Sequence, residues 1–177
     1  MASDERPRRA ALDWLNALPP SEARLVLQRC CGAGRWVEGM LKRRPFPSPA
    51  ALLEQAEAVW RELTATDFLE AFSHHPEIGA NLDELGRKFA ATAELSLAEQ
   101  AGAANASEAT LSALRSQNHA YRTRFGYSFI VCASGKTASE MLELLNGRLN
   151  NAPEAELGIA AAEQAKITHL RLEKLTP

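Results

Sequence analysis

Proton transfer near neutral pH suits imidazole, whose unperturbed pKa lies near about 6.5, and the chain offers four: His74, His75, His119 and His169. His75 stands apart because Pro76 follows it. The residue before a proline is pushed out of helical geometry, so a helix carrying Phe68, Leu69 and Phe72 has to end at His75 and leave its ring at the exit. A lone histidine is more often a surface or capped structural residue, yet one with a fixed exit from its helix is well aimed for general acid–base work. None of the four makes a metal-binding spacing, such as two histidines four apart around a glutamate, and no metal is expected.

Ser96-Leu97-Ala98-Glu99 has the form of a capping box, in which hydroxyl and carboxylate reciprocally satisfy the first backbone donors of a helix. The same turn presents free N–H groups and partial positive charge, so it can also hold a ligand's carbonyl or carboxylate. Arg171, one turn beyond Ile167, is either a snorkelling surface residue or a buried anion clamp; periodicity leaves both open. Gly135-Lys136-Thr137 matches the end of a phosphate loop, but Ile130 stands where its first glycine is needed, which argues against nucleotide binding. Neither a Gly-rich dinucleotide fingerprint nor a Gly-x-Ser-x-Gly elbow occurs. The odd cysteine count, with Cys30 and Cys31 adjacent and Cys132 remote, reads as reduced core packing.

The elements that must position these residues read as helices. Residues 1–11 lack an apolar period and are expected to form a flexible N-terminal extension, with a helical domain over 12–177. Pro20-Ser21-Glu22 opens a helix that Gly32 stops, and a short one holds Trp36, Val37, Met40 and Leu41. Ser48-Pro49 starts a helix to about Leu63, and Thr66 is the expected cap of the helix that ends at His75. Leu82, Leu85 and Phe89 make one stripe of a further helix. Another follows Ser96, a longer one runs from Ser107 to Gly126, and Thr137 with Glu140 caps the next. Pro153 opens the last, to about Leu175. Tyr127–Ala133 is strand-like, but equally an extended segment or a buried helix turn, and one such run cannot make a sheet. The expectation is an all-α, single compact domain of about eight helices.

A length of 177 residues suits one core. With 20 basic and 22 acidic residues interspersed, nothing suggests a nucleic-acid surface. Lys42-Arg43-Arg44 is expected to be a solvated cluster at a helix end. No apolar run approaches a membrane span, so no membrane partner is expected, and the cysteine usage together with a C-terminal Leu-Thr-Pro, unlike a peroxisomal address, favours the cytoplasm.

Taken in order, LNALPPSEA, CCGAGRWVEGM with RPF, AFSHHPEIG, SLAEQAG, QNHAYRTRFGYSFIVCASGK and KITHLRLEKL resemble the 2-oxo-4-hydroxy-4-carboxy-5-ureidoimidazoline (OHCU) decarboxylase family from about Leu15 to Leu175. The resemblance implies an all-helical enzyme of urate breakdown in purine metabolism. Such a carboxy-lyase converts the small-molecule substrate OHCU to (S)-allantoin without a cofactor, frequently as a homodimer. It places catalytic roles on His75, Glu99 and Arg171, and substrate contacts on Pro76, Ser96, Glu99, Gln100 and Arg171. The backbone of Phe129, Ile130, Val131, Cys132 and Ala133 is implied to line the substrate. Two positions depart from the family's pattern: Ser128 stands where proline is frequent, which bears on the rigidity of the loop, and His74 where a small residue is common. A paralogue acting on a related ureido or imidazoline acid, and a non-catalytic helical interaction module, are the alternative readings.

Overall fold

Residues 5–76 and 106–177 are described in the computed structural model of this chain. Among them are eight helices and no strand: α1 (Glu5–Ala17), α2 (Pro20–Cys30), α3 (Gly34–Lys42), α4 (Pro49–Arg61), α5 (Ala65–Ser73), α6 (Glu108–Phe125), α7 (Ala138–Arg148) and α8 (Pro153–Glu173). The all-α reading therefore holds. The helix expected from Leu82 and the capping box at Ser96 and Glu99 lie outside the described residues. The chain divides into two compact units, Met1–Ala71 with Ala165–Pro177 and Phe72–Gln164.

Short-range chemistry fixes most helix ends. The Ser48 hydroxyl accepts from the Ala51 N–H at 3.0 Å, ahead of a proline whose missing N–H costs nothing in the first turn. Ser107 does the same for Thr110 at 3.1 Å. Thr137 and Glu140 form the full reciprocal box, and those hydrogen bonds hold the Glu140 carboxyl below its usual range. Gly126 ends α6 with φ of 82°, a left-handed conformation that a side chain would strain. Two starts differ from expectation. α5 is capped at Thr64, not Thr66: the Asp67 carboxylate reaches back to the Thr64 N–H at 2.8 Å. α1 begins at Glu5, so residues 5–11 are helical; Arg8 pairs with Glu173 at 3.1 Å, and the Arg9 guanidinium binds Asp13 and the Pro47 carbonyl.

In the first unit, α2, α3 and α4 pack in succession and α1 lies against α2 and α4. Leu15, Leu27, Trp36 and Met40 are fully buried there, and the Trp36 indole donates to the Ala56 carbonyl at 3.1 Å. Arg44 is not the solvated charge expected of a basic cluster. Its guanidinium donates to the carbonyls of Leu15, Asn16 and Leu18 at 2.5, 2.9 and 2.7 Å, closing the carboxyl end of α1.

At Gly39 α3 lies close against α4: a Cβ there would sit 2.6 Å from Val59 Cγ1. Gly39→Ala is expected to cost roughly 1–3 kcal/mol through overpacking. Adding Val59→Ala should give a double variant less destabilised than the sum of the two single changes, as read by urea denaturation.

Candidate active site

α5 ends as Pro76 requires. The helix stops at Ser73, the His75 N–H turns back to the Phe72 carbonyl at 3.1 Å, and Pro76 is buried. His75 is half-buried, whereas His74 is exposed, so adjacent imidazoles occupy different environments. The Phe72 ring packs on Tyr127 with centroids 5.2 Å apart, which fastens the turn carrying His75 to the chain after Gly126.

That stretch, Tyr127–Ala133, is irregular extended chain with no ladder among the described residues. Its side chains alternate between two buried environments. Phe129, Val131 and Ala133 enter the apolar cluster of Leu114, Tyr121, Met141 and Leu145, and the alternation puts Ile130 and Cys132, also buried, on the other side. Of the readings left open by the sequence, the extended segment is the one observed.

Buried backbone without a ladder must find other partners, and here they are side chains. Arg148 Nη1 donates to the Ile130 carbonyl at 2.8 Å while its guanidinium lies over the Phe129 ring, 4.6 Å from the centroid. Its Nε donates to Glu156 Oε1 at 2.8 Å. The Glu156 carboxylate is completely buried and also accepts from the Tyr121 hydroxyl and, at 2.7 Å, from Asn151 Nδ2. Burial, and then the hydrogen bond to Glu156, push the Tyr121 phenol far above its ordinary value, so it stays a donor. Cys132 is gripped at both backbone groups: its N–H donates to Glu163 Oε2 at 2.7 Å and its carbonyl accepts from Lys136 Nζ at 2.8 Å. Ser128, where the family often has proline, is tethered by Arg122 Nη2 to its hydroxyl at 2.9 Å. Gly135-Lys136-Thr137 is thus a turn, an anchor and a helix cap.

Arg171 belongs to the first unit. It is buried, 5% exposed, and its Nη1 donates to the Arg29 carbonyl in the last turn of α2 at 3.1 Å, which removes the snorkelling alternative. Beside it, burial pushes the Cys31 thiol up from 9.0 to about 12, against the opposing effects of hydrogen bonds with the Ala33 backbone and Thr168 and of the Arg171 charge. A raised thiol pKa stabilises the fold fully below the unfolded value and loses that contribution as pH rises from about 9 toward 12. The urea midpoint of wild type should therefore fall more steeply across that window than that of Cys31→Ala, in parallel titrations.

The positions implied by the resemblance distribute as follows. His75, Pro76 and Phe129–Ala133 lie in the second unit, joined through the Phe72–Tyr127 contact; Arg171 lies in the first; Ser96, Glu99 and Gln100 lie outside the described residues. Sequence reasoning missed Arg148, Glu156, Glu163 and Lys136. Their signal was available on α8, where Glu156, Ala160, Glu163 and Ile167 recur at three- and four-residue spacing, putting carboxylates on an apolar face. Two hollows are lined by described residues. A groove of about 180 Å³ is lined by Leu12, Leu53, Leu172 and Leu175, and a hollow of about 500 Å³ by Lys136, Glu140, Leu144 and Arg148. No described helix is long and apolar enough to cross a membrane.

The described residues are helical, with a His-Pro helix exit joined through the Phe72–Tyr127 contact to an anchored apolar segment. The chain belongs to the OHCU decarboxylase family, whose sequence model matches residues 16–173. It is similar to the uric acid degradation bifunctional protein TTL of Arabidopsis thaliana, 40% identical over 148 residues that make up 82% of this chain and 45% of that protein. The chain thus spans less than half of that curated relative's length. Among solved structures, it is similar to an OHCU decarboxylase crystallised in the presence of (S)-allantoin, with a TM-score of 0.69, 38% identity, and coverage of 84% of this chain and 94% of that one. An (S)-allantoin synthase shares the fold, with a TM-score of 0.67 and 21% identity over 91% of this chain and 52% of that one.

Proposed function

We propose that this chain catalyses the cofactor-free decarboxylation of OHCU to (S)-allantoin in urate degradation, with His75 delivering the proton. The observation that carries the reading is the 38% identity to a crystallised OHCU decarboxylase across nearly all of that protein. The placement of His75 at a helix exit, tied to the anchored segment, supports its assignment.

The chemistry needs no organic electron sink. The scissile carboxylate sits on ring carbon C4, which bears a hydroxyl and adjoins C5, the carbon that carries the ureido group and is double-bonded to N1. When the C–C bond to the carboxylate breaks, carbon dioxide leaves and the electron pair forms a C4=C5 double bond, the C5=N1 electrons moving onto N1 and its conjugated C2 carbonyl. Net uptake of one proton completes allantoin: N1 is protonated, the C4 hydroxyl gives up its proton to become a carbonyl, and C5 receives a proton on one face, which an imidazole is suited to deliver near neutral pH. In this reading Glu99 orients His75 or binds the ureido N–H groups, and Ser96, Gln100 and the backbone amides of the helix turn expected there from the sequence hold ring carbonyls. Arg171 anchors oxygen charge that develops on the ring; gripping the scissile carboxylate instead would stabilise the ground state. Backbone groups of Phe129–Ala133, with Pro76, complete the lining. A homodimer in the cytoplasm belongs to the same reading, and sedimentation equilibrium checks the dimer.

The test is consumption of OHCU generated in place from urate by urate oxidase and hydroxyisourate hydrolase. Decay clearly faster than the enzyme-free rate supports the assignment. Decay at the enzyme-free rate, with turnover of another ureido or imidazoline acid from a small panel, would assign the cleft to that acid. No turnover of any panel member would favour an interaction module.

A further inference from the structure

A segment that must meet a ligand through its backbone cannot rely on a sheet for its shape if it pairs with no strand. Tyr127–Ala133 is such a segment, and its conformation is held by side chains reaching in from outside it: Arg148 on the Ile130 carbonyl, Lys136 on the Cys132 carbonyl and Glu163 on the Cys132 N–H. These three differ in kind. Arg148 is also the counter-charge of the buried Glu156, so removing it disrupts the core. Lys136 is four residues along the same stretch and closes a local turn. Glu163 comes from α8, is half-buried, and accepts at 2.7 Å from the backbone N–H of Cys132, 31 residues away.

We propose that Glu163 is a positioning residue for the substrate: it fixes the peptide plane at Cys132, and with it the direction of the neighbouring backbone groups of the 129–133 segment. This rests on the proposed function of that segment. A charge-assisted hydrogen bond of this kind is stronger than a neutral one. Without it the segment samples other conformations, and substrate binding must supply the ordering free energy at each encounter. That cost falls on binding. A residue that merely stabilised the fold would lower the fraction of active protein, scaling the maximal rate while leaving KM where it was.

The experiment compares wild type, Glu163→Ala and Glu163→Gln in steady-state kinetics on OHCU, with amide hydrogen exchange at Cys132 measured on each protein without substrate. Glu163→Ala is expected to raise KM about tenfold with kcat within about threefold, and to speed exchange at the Cys132 amide. Glu163→Gln keeps an acceptor oxygen without the charge, and should fall between, with KM up about threefold. KM equal to wild type in both variants overturns the assignment while leaving the decarboxylase reading intact. Should Glu163→Ala fail to fold, Glu163→Gln decides: a raised KM supports the role and an unmoved one overturns it. Wild type that consumes OHCU no faster than the enzyme-free solution overturns the function and this assignment with it.

Discussion

Replacing His75 with alanine is expected to slow decarboxylation by about 10²–10⁴-fold, the range set by removal of a positioned general acid–base group. The fold should survive. His75 sits past the last turn of α5, its side chain is half-buried, and the hydrogen bond that closes the turn uses its backbone N–H, which alanine retains. Residual product should form at close to the spontaneous rate and without handedness. His74→Ala serves as the control: the neighbouring ring is exposed, and its loss should change the rate little. Far-ultraviolet circular dichroism on both variants, alongside stopped-flow assay, separates lost chemistry from lost structure. Turnover of His75→Ala within a fewfold of wild type would remove the residue from the mechanism.

Glu156→Ala should give the largest loss of stability from a single change in the second unit, roughly 3–5 kcal/mol. The carboxylate is wholly buried and serves Arg148, Tyr121 and Asn151 at once. Removing it leaves a guanidinium that is about nine-tenths buried without its counter-charge, and deprives a buried hydroxyl and an amide of their acceptor. For a chain of this size the melting temperature should fall on the order of 10 °C. Glu156→Gln, which retains an acceptor but no charge, should be the milder variant. Equal melting temperatures for wild type and Glu156→Ala would mean that the ion pair stabilises nothing beyond what an alanine permits.

Helices whose ends are written in local chemistry are legible from sequence. Ser48-Pro49, Ser107, the Thr137–Glu140 box and the Gly126 stop need only their immediate neighbours, and so does the exit at His75-Pro76. The first turns of α1 are not legible in this way. Residues 5–10 have no apolar period, and what ties them down is remote, in Glu173 and the Pro47 carbonyl. Arg44 misleads for the same reason: a run of three cations reads as solvated, while its real partners are carbonyls of a helix end 26–29 residues earlier in the chain.

Of the candidate site, the sequence offers residue types, and what holds them in place it does not. His75 is distinguished by its proline, and the apolar run Tyr127–Ala133 reads as buried while leaving strand, extended segment and helix turn open, of which contact with the core leaves the extended segment. That this run is fixed by an arginine, a lysine and a glutamate depends on hydrogen bonds that periodicity cannot express. The usable clue is polar: Glu156 and Glu163 occupy positions of α8 that its spacing assigns to a buried face, where a carboxylate is costly unless it has partners.

The handedness of the product tests the central claim most directly, because decay of OHCU without enzyme has no stereochemical preference. Circular dichroism of the allantoin formed from freshly generated OHCU should show rapid accumulation of the (S) enantiomer with wild-type protein, and none of that excess with His75→Ala. Racemic allantoin appearing at the spontaneous rate in both samples would contradict the account.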